Sequence, residues 1–354
     1  MLERSSIVKR FILDQSDQWF TDTPLKRKIR KNKRNLGMPM TICVATIAQG
    51  TIFGAADRML TAGDIEFEPA QSKLFQLSNS IVAMMSGDSA FQGQLLTDLR
   101  QWVTDSIAKN PSVWTSIKET ADEYARIYSH YALREATREK LTRLGLDSNS
   151  FIARQKEMDS EFIRKLGTEM LLFEAPKAEV IIAGIDVSGA HLYVVDDGKI
   201  QCADWVGFAA IGAGAYHADS YLMFAKYVKS SPIPLGLWST YAAKKRAETA
   251  PGVGVHTDMF ILGVVPGSYD VVRQDIMNKL EEIYQTSVRG IEQVNRTAEA
   301  GVTTYVQQIV SESAAQAAKT EGQAPPQITD GDKPTNNKTD GGRTKPPPKA
   351  RKPQ

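Results

Sequence analysis

Between Thr41 and Ser86 the chain alternates two pairs of short apolar runs with tight breaks, and this pattern restricts the fold more than any other feature. TICVATIA and TIFGAAD (41–57) are separated by Gln49-Gly50, and KLFQLS and IVAMMS (73–86) by Asn79-Ser80. Two-residue breaks of this kind join antiparallel strands. The stretch therefore reads as two β-hairpins linked by a polar loop. Apolar residues follow one another without strict alternation, so both faces of these strands are expected to be covered. Gly54 and the alanines after it leave room for another segment to approach closely.

The remainder of the chain can be placed around these hairpins. Gly87-Asp88-Ser89 supplies a turn and helix-capping residues. Phe91, Leu95, Leu96, Leu99, Trp102 and Val103 then recur at helical spacing over 89–108. A second helix follows Asn110-Pro111-Ser112 and is expected to run to about Leu144, where Gly145 stops it. Residues 148–175 read as a charged helical insertion. Strands resume with AEVIIAGIDV, AHLYVVDD and a single run around IQCADWVGFAAIG. Two further helices are expected at 214–229 and 236–249, then a closing strand in DMFILGVV. From about Tyr269 to Ala317 the pattern is that of one long helix.

Composition narrows the class. The chain has 354 residues, a net charge of +2 and a hydrophobic content of 42%. These are the proportions of a globular protein without overall attraction to nucleic acid. Cys43 and Cys202 are too few for a disulfide framework, and four scattered histidines form no metal motif, so no cofactor or metal is expected. No apolar run approaches the length of a membrane span, and residues 1–20 lack a signal-peptide core. The expected setting is cytoplasmic. Residues 1–40 read as an extension carrying a short amphipathic segment (5–20) and a basic run, LKRKIRKNKR. No aromatic residue interleaves those charges to stack on bases, so a solvated arm is the better reading. Residues 319–354 are rich in Pro, Gln, Lys and Thr without large apolar side chains, and are expected to be a disordered basic tail.

The order of strands, two helices with an insertion, strands, two helices and a strand implies two mainly antiparallel sheets face to face. The expected fold is α+β, a four-layer αββα sandwich. With that order, the stretch 41–90 resembles the catalytic N-terminus of proteasome β-type subunits and of the bacterial protease HslV, N-terminal-nucleophile (Ntn) hydrolases of the threonine peptidase family. Thr41 stands where that family opens its mature chain, Asp57 at the end of the second strand, and Lys73 at the start of the third, sixteen residues apart in each case. Gly87 falls where the family has an oxyanion-hole glycine. Thr61-Ala62-Gly63 resembles the segment whose backbone pairs with substrate in HslV, making Thr61 and Gly63 candidate substrate-binding residues. Gly212-Ala213-Gly214 resembles the family's Gly-Ser-Gly, with Ala213 in place of the serine. Glu248 and Pro251 align loosely with a supporting Asp and Ser. Ser86 and Ser89 are polar neighbours of the oxyanion turn, best read as helix caps.

The resemblance implies an endopeptidase acting through an acyl-enzyme on the Thr41 hydroxyl, with the freed α-amine of Thr41 as base. Lys73 would stabilise charge developing on the hydroxyl, and Asp57 would hold Lys73. The backbone N–H of Gly87 would bind the oxyanion. It further implies peptide or unfolded-protein substrates, a homo-oligomeric ring and an ATPase unfoldase partner. The domain would span 41–266, followed by the helix at 267–318. A free α-amine requires either loss of residues 1–40 or translation from Met40 with removal of that methionine. Two other readings are a catalytically silent scaffold subunit of the same fold and an Ntn amidase acting on a small molecule.

Overall fold

The computed structural model describes residues 41–62, 65–68, 72–111 and 113–321. Among them are two five-stranded sheets, each wholly antiparallel, with seven α-helices including a long C-terminal one. The first hairpin is β1 (Cys43–Ala48) and β2 (Thr51–Asp57), paired from Cys43↔Ala56 to Ala48↔Thr51. Its turn needs left-handed backbone at Gln49 (φ 48°) and Gly50 (φ 82°), as a two-residue hairpin requires. The polar loop beyond contains a short pair, β3 (Leu60–Ala62) and β4 (Ile65–Phe67). The second hairpin is β5 (Leu74–Ser78) and β6 (Ile81–Gly87).

Helices α1 (Ser89–Lys109) and α2 (Ile117–Ala136) follow. Strands β7 (Ala178–Asp186), β8 (Gly189–Asp196) and β9 (Lys199–Cys202) complete the sheet β5-β6-β7-β8-β9. Strand β10 (Phe208–Ile211), helices α5 (Ala215–Phe224) and α6 (Ile233–Ala247), and strands β11 (Thr257–Leu262) and β12 (Tyr269–Val271) come next. They build the other sheet, β10-β1-β2-β11-β12. Three buried clusters hold this arrangement. Cys43, Ala45, Ile52 and Phe260 of one sheet meet Val82, Met84, Ile181 and Leu192 of the other. Leu95, Leu99, Ile117 and Tyr124 of α1 and α2 pack on Ala83, Val180 and Ile182. Ala218, Leu222, Tyr241 and Ala243 of α5 and α6 pack on Val44, Ala55 and Met259. Each central strand is thus apolar on both faces, and transfer of those side chains from water drives the assembly. At Gly54 the Phe260 ring occupies the place a side chain would take.

Several elements differ from the sequence expectation. The run around IQCADWVGFAAIG is two strands in different sheets. Between β9 and β10 the Gly207 N–H bonds back to Ala203 at 2.9 Å, and Gly207 (φ 82°) turns the chain across. Residues 269–271, expected to begin the long helix, instead form β12. Gly267 (φ 90°) returns the chain onto β11, and the Tyr269 ring stacks on Phe260. The second α-helix ends at Ala136, not Leu144. A π-helical turn (Thr137–Leu141) and a 3-10 turn (Thr142–Leu144) follow, closed by Gly145 at φ 70°. That change of pitch directs Leu141 into a small cluster with Leu146 and Leu166. The insertion comprises α3 (Ser148–Ala153) and α4 (Ser160–Leu171), each capped by an aspartate, Asp147 and Asp159.

The chain divides into two units, Met1–Gln285 and Thr286–Gln354. Helix α7 (Gln274–Glu321) belongs to both. Its first turns place Met277 and Leu280 in the cluster with Tyr241. In the second unit it carries exposed Val294, Val302 and Tyr305. No described helix is long and apolar enough to cross a membrane. The basic run at 25–34 and the tail from 322 lie outside the described residues.

Candidate active site

The first hairpin fixes two of the candidate residues by its own pairing. Thr41 precedes β1, and Asp57 closes β2 opposite it. The Asp57 N–H donates to the Ile42 carbonyl at 3.1 Å, and the Ile42 N–H donates to Asp57 Oδ1 at 3.0 Å. Lys73 precedes β5 and is held there by the Met85 N–H, which donates to its carbonyl at 3.2 Å. The three side chains converge. Thr41 Oγ1 donates to Asp57 Oδ1 at 2.6 Å, Lys73 Nζ donates to the same oxygen at 2.7 Å, and Lys73 Nζ also donates to Thr41 Oγ1. Relative exposures are 3% for Thr41, 0% for Asp57 and 4% for Lys73. In such a setting the Lys73 ammonium depends on the Asp57 carboxylate, because removing the carboxylate leaves a desolvated charge without a counter-ion.

The remaining Asp57 oxygen is equally occupied. Oδ2 accepts the Gly254 N–H at 2.8 Å and the Met59 N–H at 3.2 Å. Together with the bonds to Oδ1, the carboxylate accepts from five donors. Thr41 is also held from behind. The Gly214 N–H donates to its carbonyl at 3.1 Å, and Gly212 (φ 91°) lies so close that a Cβ there would sit 2.5 Å from the Thr41 carbonyl oxygen. The Gly212 N–H in turn donates to Glu179 Oε2 at 3.0 Å. Burial raises the Glu179 carboxyl above the usual range, and the Gly212 bond opposes that shift.

Gly87 is the last residue of β6, at φ 119°, and a side chain there would collide with the Lys177 carbonyl. The turn is sealed by the Asp88 N–H, which donates to that same carbonyl at 2.9 Å. Asp88, rather than Ser86 or Ser89, caps α1, accepting from the Phe91 N–H at 2.9 Å. Ser86 instead turns inward. Its Oγ is buried and has no partner among the described residues. Cys43 lies beside this group with its thiol donating to the Met85 carbonyl at 3.4 Å, and burial pushes its pKa up, favouring the neutral thiol.

Thr61 lies on β3, where it pairs with Glu66. Gly63 lies outside the described residues. Glu248 does not approach Thr41 through any hydrogen bond among the described residues. Its oxygens receive Lys244 Nζ at 2.6 Å and Lys245 Nζ at 2.7 Å. Ala213 provides no hydroxyl, and Pro251 no side-chain donor.

No family model matches the chain, and no curated protein matches it.

Two participants escaped the sequence reading. Gly254 reaches Asp57 from 197 residues away, a closeness that no local pattern announces. Lys244, in α6, is fully buried with its ammonium on the same turn. Its signal was present in the helical spacing: Thr240, Tyr241 and Ala247 share its buried side, so a lysine stands on the apolar stripe.

Proposed function

We propose that this chain is a threonine-type peptidase of the Ntn-hydrolase class, with the four-layer αββα sandwich of proteasome β-type subunits and HslV. The observation that carries the reading is the contact set at Thr41. A hydroxyl held between an ammonium and a carboxylate at the paired ends of two hairpins is what a threonine nucleophile needs and an ordinary strand threonine lacks. The two facing sheets with a helix pair packed on each support the fold part of the reading.

In this reading Thr41 Oγ1 attacks a peptide carbonyl and passes its proton to the α-amine of the same residue once Met40 is gone. Lys73 stabilises the oxygen as its proton leaves. Asp57 keeps Lys73 aimed, and the N–H at the Gly87 turn receives the tetrahedral oxyanion. The amine product departs with a proton, and water then hydrolyses the Thr41 ester. Peptide or unfolded-protein substrates, a ring of identical subunits and an ATPase unfoldase belong to the same reading. Intact-mass measurement of protein from its native host is expected to give a species beginning at Thr41, and that species is expected to be labelled by a fluorescent peptide β-lactone. Thr41→Ala should abolish labelling with folding unchanged. A Thr41→Ala protein that still hydrolyses peptides at the parent rate would eliminate the mechanism.

A second reading, a catalytically silent subunit of this fold, draws support from one feature. Glu248 is spent on Lys244 and Lys245, and Ala213 brings no hydroxyl, so polar support around Thr41 is thin. Absence of labelling on a chain shown by mass to begin at Thr41 would favour it.

A further inference from the structure

The Lys244 ammonium is the other buried positive charge next to Asp57, and the peptidase mechanism gives it no task. Its relative exposure is 0%. All three of its N–H donors are taken: Glu248 Oε1 at 2.6 Å, the Gly254 carbonyl at 2.9 Å and the Val255 carbonyl at 3.1 Å. Two of those acceptors belong to the turn that follows Pro251. The same Gly254 whose carbonyl Lys244 binds sends its N–H to Asp57 Oδ2 at 2.8 Å. One peptide residue therefore joins the buried ammonium to the carboxylate that holds Lys73 and Thr41.

We propose that Lys244 is a positioning residue for the Thr41 site, acting through the Gly254–Val255 turn on Asp57; this rests on the peptidase reading above. Besides Lys244 and Asp57, the turn is held by the Val253 N–H, which donates to the Ala250 carbonyl at 3.3 Å, and by backbone bonds from Val255 and His256 to Glu68. It follows Pro251-Gly252, with Gly252 at φ 76°, and Gly254 permits close packing against Glu68, where a side chain would collide. Such a segment has high backbone freedom, and its ordering must come from bonds supplied by neighbours. An ammonium can bind two carbonyls of one turn at once while a carboxylate balances its charge; a neutral side chain of the same length cannot. Burial holds the Lys244 pKa below the ordinary lysine value, and Glu248 opposes that fall, so the pair has a desolvation cost that packing alone would not require. The charged groups acting on Lys244 are Glu248 and Lys245 on its own helix and Asp57 at the end of β2.

Lys244→Met keeps the length and removes the donors. The chain beginning at Thr41 and its Lys244→Met variant are compared by hydrogen exchange at the Gly254 amide and by labelling with the peptide β-lactone over a range of pH. Exchange at Gly254 is expected to quicken tenfold or more in the variant, with amides of α1 and α2 unchanged. Labelling is expected to slow at least tenfold and the midpoint of its pH dependence to move, while reversible affinity for the probe stays within about twofold. A folded Lys244→Met protein with parent exchange at Gly254 and parent labelling overturns the proposal. Should Lys244→Met not fold, Glu248→Gln, which deprives the lysine of its counter-charge, must show both changes at several-fold size, and parent values there overturn it equally. A parent chain that begins at Thr41 and takes no label sinks the peptidase reading instead, and Gly254 exchange still tests the link from Lys244.

Discussion

The Gly254 N–H donates to Asp57 Oδ2 at 2.8 Å, joining the end of the first hairpin to a turn 197 residues later in the chain. The opposite oxygen, Oδ1, serves Thr41, Ile42 and Lys73. No oxygen of Asp57 is spare, and every donor comes from a segment that must be in place before the site exists. Asp57 is therefore a meeting point of strand pairing, the lysine and the late turn, and its replacement tests all three.

Asp57→Asn is expected to cost about 3–5 kcal/mol, the range for breaking a buried, hydrogen-bonded ion pair. Either orientation of the amide sets its NH2 against N–H donors, those of Met59 and Gly254 at one position or of Ile42 and Lys73 at the other. Urea unfolding should show a lower midpoint with an unchanged slope. A midpoint equal to that of the parent would mean the contacts around Asp57 do not govern folding.

Lys73→Met should destabilise less than Asp57→Asn while abolishing labelling at Thr41. The carboxylate keeps three backbone donors, Ile42, Met59 and Gly254, so its charge stays solvated by N–H groups after the ammonium is lost. The hydroxyl, by contrast, loses Lys73, the one cation bonded to it among the described residues. The order of the two midpoints, read beside the labelling rates, separates structural from chemical roles.

Gly212→Ala and Gly189→Ala form a matched pair. Both glycines have left-handed φ, 91° and 120°, so each alanine is strained by about 1–2 kcal/mol. Nothing lies within 4 Å of a Cβ at Gly189, whereas at Gly212 it would stand 2.5 Å from the Thr41 carbonyl oxygen and 2.6 Å from Thr41 Cγ2. Melting temperatures should fall in both variants, and labelling should fall only in Gly212→Ala. Equal labelling in the two would show that the Gly212 turn does not set the position of Thr41.

What the sequence disclosed follows from how local its signals are. Thr41, Asp57 and Lys73 stand at the ends of strands whose hairpin turns are written in two-residue breaks, but their convergence entered only through the resemblance to proteasome β-type subunits and HslV. Local spacing missed the change of sheet at Gly207 and the strand at Tyr269–Val271, because a strand of three or four residues has too few positions to show a period. Gly254 and Lys244 escaped for another reason. A backbone N–H carries no residue-type signature, and a lysine beside a second lysine on α6 looks like a solvated helix face unless the apolar spacing around it is followed. The turn at Gly87 lies between these cases: Gly87 was marked by its context, but the cap belongs to Asp88, and the orphaned Ser86 hydroxyl depends on which way β6 faces.

Asp219, on α5, provides a test of pH dependence at a residue with no part in the proposed mechanism. Burial alone raises its pKa from 3.8 to about 6. In the unfolded chain the carboxyl loses its proton near the lower value, and in the folded chain it keeps it to the higher one. Between those values the folded state binds more protons, so this group's contribution to stability falls as pH rises from about 4 to about 6 and stays low above that. Asp219→Asn removes the charge that burial penalises. Asp219 is only partly buried, so after allowance for solvent screening the gain at pH 7.5 should be about 1 kcal/mol, or a rise of about 2–4 °C in melting temperature. The difference should shrink steeply by pH 4, where the parent carboxyl is protonated in the folded state and about half protonated in the unfolded one. A gain that persists undiminished at pH 4 would assign the effect to packing or helix propensity instead of charge burial, and paired thermal scans at pH 4, 5.5 and 7.5 distinguish the two.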